Sequence, residues 1–446
     1  MKDLNVFAET DYRNEGKRFG IKREDRRLHM YALGRTGMGK TTMLLNMVLN
    51  DIYDGEGVCF IDPHGDAVEA LLNYIPDFRV KDVIYFNPAD IKYPIPINIF
   101  GECEEERRHI LVSGLLSVFK KLYAGHWQHR QEHIMRNSIL ALLDYPGEKT
   151  LFEVYKLYSD WRFRKKVVAE IKDPVVKEFF QGEFSKYLYQ YKGEALIPIQ
   201  NKLGSFLTVP MVRNITGQKQ SKIDFREVLD KGKILLVNLS KGRVGEDISS
   251  FLGSLIIIKL QLAAMSRIDI LEDKRKDFYL YVDEFQEFVA SDAFEGILSE
   301  ARKYRLCLMI AHQYIAQLDE GLRKSVFGNV GTIISFAVGP EDSEFLGKEF
   351  YPDFRRRDLI MLSKYHIYLK LSIDGKTSEP FSAVTLPSFY KFELQKNEKE
   401  IINFSRTYYS SKESYKKGQL RLLMPWHLCV FCNNWKSTNA NCILII

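Results

Sequence analysis

The apolar positions of the first hundred residues follow two periods in turn. Short apolar runs at residues 29–33, 57–61 and 83–86 predict buried strands. Residues 41–50 and 67–75, which lie between these runs, place their apolar side chains on one helical face. Strands that alternate with helices predict an α/β fold, with a mostly parallel sheet covered by helices on both faces.

The pattern changes between residues 102 and 231, where helical stripes dominate, as at 132–143, 152–171 and 174–180. Strand patterns return further along the chain, separated by helical stripes at 251–267 and 294–304. These strands are predicted at 233–239, 278–282, 307–311, 332–338 and 366–373. The sequence therefore predicts a core made of residues 1–101 and 232–390, an all-α insertion at 102–231 and a helical or irregular tail at 391–446.

The segment GRTGMGKT, residues 34–41, fits the phosphate-binding pattern G-x-x-x-x-G-K-[ST] between a predicted strand and a predicted helix. Its glycines allow the backbone amides and the helix N-terminus to surround a phosphate. Lys40 adds positive charge at the β and γ phosphates, and Thr41 offers a hydroxyl to Mg²⁺. The nucleotide-binding residues predicted here are Gly34, Arg35, Thr36, Gly37, Met38, Gly39, Lys40, Thr41 and Thr42.

Two adjacent carboxylates follow the apolar run at residues 278–282. Asp283 is predicted to hold Mg²⁺, and Glu284 to act as general base or to orient the attacking water. Two surface acids at a strand end are common, so this pair alone decides nothing. Together with the phosphate-binding loop, and at the strand edge where α/β sheets bind ligands, it indicates nucleotide hydrolysis.

Arg302 and Gln313 lie on either side of the predicted strand at 307–311. Gln313 is placed to sense the γ-phosphate, and Arg302 is a candidate to stabilise transition-state charge in a neighbouring subunit. On spacing alone, a surface ion pair with Glu300 or Glu295 is the favoured interpretation of Arg302. Gln313 alone is equally ordinary.

Asp62 ends the second predicted strand within FIDPHGD, residues 60–66, and so lies on the same sheet edge as the loop. It is predicted either to contact the nucleotide's Mg²⁺ or water, or to serve a turn. Asp66 is interpreted as the N-cap of the next helix, and His64 is a weak metal candidate without partners.

The bulk composition changes this picture little. The net charge of +6, from 64 basic and 58 acidic residues among 446, is compatible with a nucleic-acid partner and does not require one. Cys59, Cys103 and Cys307 are predicted to be free thiols of a cytoplasmic protein. Cys429 and Cys432 form only half of a zinc site. The longest apolar stretch, 251–265, is too short to span a bilayer, which predicts a soluble chain.

The nucleotide and the reaction follow from the same motifs. The guanine-binding pattern N-K-x-D is broken at residues 201–204, which read NKLG, so a GTPase is disfavoured. The Asp-Glu pair, with a Gln after the next strand, favours ATP hydrolysis over phosphoryl transfer to a small molecule. ATP and Mg²⁺ are therefore the expected cofactors.

An ordered series of segments resembles the conjugative coupling proteins of TraG/TraD type, in the HerA/FtsK group of DNA-pumping ATPases. The resemblance covers about residues 18 to 410 and rests on HMYALGRTGMGKTT, FIDPHGD, DVIYFNPAD, IPIQNKLGSFL, ILLVNLSKGRVGED, YVDEFQEF, LSEARKYRL and AHQYIAQL. It implies a RecA-like core, a homo-hexameric ring and a role in feeding DNA to a type IV secretion channel.

The resemblance also assigns residues. It implies that Asp283 and Glu284 are the Walker B pair, that Arg302 is the arginine acting in trans, and that Gln313 is the sensor glutamine. Many members begin with two membrane helices, which this sequence lacks. We therefore expect a cytoplasmic chain, with attachment to the inner face of the membrane through a partner as the alternative.

Three functions remain open at this point. The leading one is a DNA translocase without base specificity, with a relaxase or secretion-channel proteins as partners. The second is a HerA-like translocase that works with a nuclease. The third is an ATP-gated docking scaffold whose helical region receives secreted proteins.

Overall fold

The computed structural model describes residues 3–101, 103–123, 125, 127–190, 192–288 and 291–411. The predicted tail at 391–446 is thus described only to residue 411. The half zinc site with Cys429 and Cys432 lies outside the described residues.

The strands of the described residues lie mostly in one 11-stranded sheet, while β11 and β12 form a separate two-stranded ribbon. In chain order they are β1 Leu4–Thr10, β2 Arg18–Lys22, β3 Met30–Leu33, β4 Gly57–Asp62, β5 Val83–Phe86, β6 Ile234–Asn238, β7 Phe278–Val282, β8 Leu306–His312, β9 Thr332–Ser335, β10 His366–Lys370, β11 Ser372–Ile373, β12 Lys376–Thr377 and β13 Phe381–Thr385.

The sheet has a parallel and an antiparallel part, in the order β2-β1-β13-β10-β9-β3-β8-β7-β4-β6-β5. The strands from β9 to β5 pair in parallel. The strands from β2 to β10 pair antiparallel, as does β10 with β9. The predicted α/β class with a mostly parallel sheet is confirmed.

Helices cover the sheet and fill the segment between β5 and β6, in which no strand occurs among the described residues. They are α1 Arg23–Arg26, α2 Lys40–Tyr53, α3 Asp66–Leu72, α4 Arg108–Leu122, α5 His129–Asp144, α6 Leu151–Ser159, α7 Trp161–Glu170, α8 Pro174–Glu178, α9 Phe184–Tyr189, α10 Ile197–Thr208, α11 Pro210–Thr216, α12 Phe225–Lys231, α13 Lys241–Val244, α14 Glu246–Ser266, α15 Ser291–Glu300, α16 Glu320–Asn329, α17 Pro340–Glu349, α18 Arg356–Met361 and α19 Glu398–Tyr409.

The two faces of the sheet bury different residues. On β7, Leu280 belongs to the core shared with the helices between β5 and β6, whereas Tyr281 belongs to the core under α2 and α3. This alternation follows from the two-residue period of a strand. The helical segment from α4 to α12 thus packs on one face, and the helix that follows the phosphate-binding loop packs on the other.

One predicted element was wrong, and three strands were missed. The single helix predicted at 152–171 is two helices, because Asp160 leaves helical geometry and its side chain caps α7 by accepting from the amides of Arg162 and Phe163. The antiparallel strands β1, β2 and β13 were not predicted. In β1 a register shift between Val6 and Ala8 breaks the alternation that marks a strand.

One described helix, Glu246–Asp269 including its terminal turn, is long and apolar enough to cross a membrane by length and composition alone. Its mean hydropathy is 1.7. Of its most apolar window, 89% is buried inside the protein. Its surroundings are therefore those of a core helix. Cys59, Cys103 and Cys307 are free thiols, as predicted.

The buried His29, just before β3, predicts acid sensitivity. Its Nδ1 accepts the amide of Leu308 at 3.1 Å, so Nε2 carries the proton and faces the carbonyl of Leu298. Burial lowers the pKa of His29 to about 4, with the bond to the Leu298 carbonyl opposing this shift and the charge of Arg302 supporting it. Because the unfolded chain then binds more protons, stability is present above pH 6.5 and is lost as the pH falls toward 4, by roughly 2 kcal/mol between pH 7.5 and 5.

The measurement is the free energy of unfolding in urea at pH 7.5 and 5. His29→Asn, which tolerates the left-handed backbone at φ 62°, is expected to lose less stability on acidification than the wild type. The exposed His109→Asn is the matched control and is expected to behave like the wild type. Equal losses in wild type and His29→Asn would contradict the prediction.

Candidate functional site

The phosphate-binding loop lies between β3 and α2, at the edge where the parallel strands end. Its glycines are required by close approach of neighbouring atoms or by backbone conformation. A Cβ on Gly34 would lie 2.5 Å from Cβ of Phe336, and one on Gly39, where φ is 119°, would lie 2.6 Å from the Tyr365 ring. Gly37 has φ of 79°, which other residues rarely adopt.

Backbone hydrogen bonds fix the loop to neighbouring strands. The amide of Gly34 donates to the carbonyl of His312 at the end of β8, at 3.2 Å, and the amide of Arg35 donates to that of Ala337 at 2.9 Å. The carbonyl of Met38 accepts the amide of Tyr365 at 2.9 Å. Arg35, Thr36 and Gly37 form the exposed crest, so a ligand reaches the loop from solvent.

Lys40 is buried beneath this crest. Its ammonium donates to the carbonyls of Gly34 and Arg35, at 2.6 and 3.3 Å, and lies 3.9 Å from Oε1 of Glu284. Burial lowers the pKa of Lys40, while Glu284 and Asp283 act in the opposite direction. The Lys40 ammonium therefore lies at the centre of the loop, where a phosphate would bind.

Asp283 and Thr41 meet across the site. The Thr41 hydroxyl donates to Oδ2 of Asp283 at 2.7 Å. Burial raises the pKa of Asp283 to about 6, with the charges of Glu284 and Asp62 acting in the same direction and the bond from Thr41 opposing them. A hydroxyl beside a buried carboxylate suits a hard cation that takes oxygen ligands, because the cation compensates the buried negative charge.

Glu284 is held by two amides. Gln313 donates to its Oε1 at 3.0 Å and Gln286 donates to its Oε2 at 2.9 Å. Its backbone is in the left-handed region, at φ 47°, and its amide donates to Oδ1 of Asp283 at 3.0 Å. Strained backbone of this kind recurs at functional sites, because surrounding contacts must impose it. The carboxylate is thus oriented beside Lys40.

Asp62 lies at the neighbouring end of β4, with its carboxylate turned toward the backbone. It accepts the amides of His64, Ala67 and Val68, at 2.8, 2.9 and 3.2 Å. These bonds cap α3, which begins at Asp66, so the interpretation of Asp66 as N-cap was wrong. The nucleotide contact of Asp62 stays a prediction.

Arg302 lies far from its own chain's loop. It is exposed on the turn Ala301–Tyr304, before β8, whereas Gln313 follows the last residue of β8. The seven-residue strand separates the two by roughly 20 Å. Among the described residues Arg302 forms no ion pair, so the expected partners Glu300 and Glu295 are not engaged.

The structure adds residues that were not assigned from the sequence. Gln286 orients Glu284 from within the DEFQEF segment, and Tyr365 packs its ring on Gly39. Gln286 lies in the DEFQEF motif, but the motif alone assigned it no function. Tyr365 lies in no motif, so no sequence signal pointed to it. Thr42, predicted to bind nucleotide, is half-buried in the first turn of α2.

The donor set fits a nucleoside triphosphate with Mg²⁺. The loop amides, the helix N-terminus and Lys40 suit phosphate oxygens. Thr41 and Asp283 suit Mg²⁺, which uses one or two protein oxygens and otherwise keeps water and phosphate ligands. No cluster of three or more His, Cys, Asp or Glu side chains suited to a metal occurs in the described part of the chain.

Solved structures share this fold. The conjugative coupling protein TrwB in its unbound form, TrwBdeltaN70, is 15% identical and superposes with a TM-score of 0.61 over 89% of this chain and 91% of that one. TrwB with ADP and Mg²⁺ is 16% identical, with a TM-score of 0.60 over 85% and 90%. VirB4 of Thermoanaerobacter pseudethanolicus is 14% identical, with a TM-score of 0.56 over 86% and 96%.

The predicted RecA-like P-loop core with a helical insertion is confirmed by these fold matches. No curated protein matches the sequence. The family model of the type IV secretion-system coupling protein DNA-binding domain matches residues 18–345. Because that match spans well over half of the chain, the protein belongs to the type IV secretion-system coupling proteins.

Proposed function

We propose that this chain is an ATP-dependent DNA translocase that feeds DNA to a type IV secretion or conjugation channel. The observation that carries the proposal is the convergence of Lys40, Thr41, Asp283, Glu284 and Gln313 at one strand edge, within a member of a DNA-binding coupling family. TrwB has been solved with ADP and Mg²⁺ and with an ATP analogue, which supports the same cofactors here.

In this proposal the loop amides of residues 34–41 and Lys40 bind the β and γ phosphates. Thr41 and Asp283 would hold Mg²⁺, which supplies positive charge to the phosphate oxygens. Glu284 accepts a proton from the attacking water as the water oxygen bonds to the γ-phosphorus. The bond from phosphorus to the bridging oxygen then breaks, which releases ADP and phosphate. Gln313 orients the Glu284 carboxylate through its hydrogen bond and changes its contacts when the γ-phosphate is lost.

In this proposal the segments of the chain have the roles that the sequence predicted. Residues 1–101 and 232–390 form the ATPase core, residues 102–231 the helical insertion, and 391–446 the tail. A homo-hexameric ring places Arg302 of one subunit against the nucleotide of the next. The ring works in the cytoplasm, at the inner face of the membrane where the channel lies, with a relaxase or channel protein as partner.

DNA is expected to stimulate steady-state ATPase severalfold, with an effect that falls as salt rises, because phosphate contacts release counterions. The measurement compares single- and double-stranded DNA at 50 and 200 mM salt, with heparin as the polyanion control. Equal rates with and without DNA at low salt, or equal stimulation by heparin, would contradict DNA translocation. A nuclease as functional partner would instead indicate the HerA-like alternative.

A second candidate function is a docking scaffold for secreted proteins. A cavity of about 710 Å³ opens in the helical segment, lined among others by Arg130, His133, Glu178, Phe179, Lys186 and Tyr187. Its mixture of charged and aromatic groups suits a polypeptide better than a uniform polyanion. DNA-independent turnover, together with binding of a secreted protein to the full chain, would favour this function.

A further inference from the structure

The loop that follows Glu284, residues 284–288, is anchored on the core helix α14. Ser250 and Ser254 donate from that helix to the carbonyls of Glu287 and Phe288, each at 2.6 Å. The Phe288 ring packs where Gly253 leaves room, since a Cβ there would lie 2.2 Å from the ring. The far end of this Glu284 loop is therefore fixed by the α/β core.

The middle of the Glu284 loop is held from the helical segment. Lys121, in the last turn of α4, donates its ammonium to the carbonyl of Gln286 at 2.5 Å. Burial lowers the pKa of Lys121 to about 8, Glu287 raises it, and Lys241, which pairs with Glu287 at 2.8 Å, lowers it. The Gln286 carbonyl and the charge of Glu287 therefore both stabilise the desolvated ammonium.

Gln286 connects that contact to the catalytic carboxylate. Its backbone accepts the bond from Lys121, and its side chain donates to Oε2 of Glu284 at 2.9 Å. The buried amide oxygen of Gln286 accepts no bond from the described residues. The orientation of this side chain is thus set by its backbone position and by Glu284.

The same turn of α4 is tied to α10. The Tyr123 hydroxyl donates to the carbonyl of Lys202 at 3.0 Å. The Lys202 ammonium lies 4.8 Å from the ring centres of both Tyr123 and Trp127, a favourable cation–π distance. These contacts tie α10 to the end of α4, which carries Lys121.

We propose that Lys121 is a positioning residue that couples the helical segment to hydrolysis, by holding Gln286 where it orients Glu284. The inference rests on the proposed role of Glu284 as general base, and not on DNA as the substrate. A ligand that moves α4 or α10 would change the hydrolysis rate without touching the nucleotide. A purely structural tether would instead change stability and leave the catalytic rate unaltered.

The test is Lys121→Met, which keeps the length and removes the donor. Hydrolysis is measured without DNA, with KM for ATP and the melting temperature of each protein. We expect kcat to fall about tenfold or more, with KM within about twofold, because losing one buried orienting contact costs on the order of one hydrogen bond to a charged group. Lys121→Arg is expected to recover most of the rate, and the exposed Lys165→Met is the charge-matched control.

Hydrogen exchange supplies a readout that does not depend on turnover. In nucleotide-free Lys121→Met, the amides of residues 284–288 are expected to exchange faster than in the wild type, whereas those of the phosphate-binding loop do not. Unchanged exchange in the Glu284 loop overturns the inference, and so does faster exchange with an unchanged kcat. A wild-type ATPase that ignores DNA overturns the translocase proposal alone, because both readouts here are taken without DNA.

Discussion

Replacing Glu284 by Gln is expected to lower kcat for ATP hydrolysis by about 100- to 10,000-fold while nucleotide binding is kept. The amide cannot accept the proton of the attacking water, yet it has the shape of the carboxylate. The affinity for ATP is expected to rise somewhat, because the substitution removes a negative charge 3.9 Å from the Lys40 ammonium. Lys40 then interacts with the phosphates without competition from Glu284. Single-turnover hydrolysis and the affinity for a fluorescent ATP analogue are the measurements.

A substitution of Asp283, the neighbouring carboxylate, separates an effect on nucleotide binding from an effect on catalysis. Asp283→Asn removes the negative charge beside the Thr41 hydroxyl and replaces one carboxylate oxygen by an amide nitrogen. It is therefore expected to weaken Mg²⁺-dependent nucleotide binding, which Glu284→Gln does not. The exposed Glu300→Gln is the control for a lost charge nearby in sequence. Hydrolysis by Glu284→Gln at the wild-type rate, or loss of nucleotide binding in that variant, would remove Glu284 from the role of general base.

The parts of the site that local sequence determines were predictable. A phosphate-binding loop needs glycines at positions that the loop geometry sets, and a strand of five apolar residues delivers Asp283 and Glu284 to the sheet edge. Because the strands are parallel and share that edge, Gln313, which follows the next strand, lies beside Glu284, but the hydrogen bond between the two side chains was not predicted.

The missing parts depend on contacts between distant segments. Lys121 lies 165 positions from Gln286, and no periodic pattern marks that pairing. Tyr365 packs on Gly39 through a loop that belongs to the antiparallel part of the sheet. Of that part, β1, β2 and β13 escaped prediction, and in β1 the bulge disturbs the alternation of apolar and polar residues.

Arg302 precedes β8 and Gln313 follows it, so the two side chains lie at opposite edges of the sheet. A side chain at the start of a parallel strand cannot reach a phosphate bound at the end of the sheet, so Arg302 has no role at its own chain's nucleotide. A role in hydrolysis therefore requires a second subunit whose strand-end face packs on this turn. Its exposure, without an ion pair among the described residues, leaves the guanidinium accessible to such a partner.

Arg302→Ala is accordingly expected to lose about 1,000-fold or more in kcat with nucleotide affinity unchanged, and Lys40→Ala to lose both binding and hydrolysis. The two inactive proteins are expected to restore activity when mixed and reassembled. Random pairing gives about a quarter of the interfaces an intact Lys40 from one subunit and an intact Arg302 from the other, so the mixture should recover up to that share of the wild-type rate.

The exposed Lys303→Ala, next to Arg302 on the same turn, is the matched control and is expected to hydrolyse ATP normally. Mixing must be done at a concentration where the wild type assembles, because a site shared between subunits has no activity in a monomer. If the mixture stays inactive while the assembly is intact, Arg302 does not complete a neighbour's site. If Arg302→Ala alone hydrolyses ATP at the wild-type rate, the transition-state charge is stabilised by groups within one chain. Lys40, a buried cation 3.9 Å from Glu284, would then be the group to test.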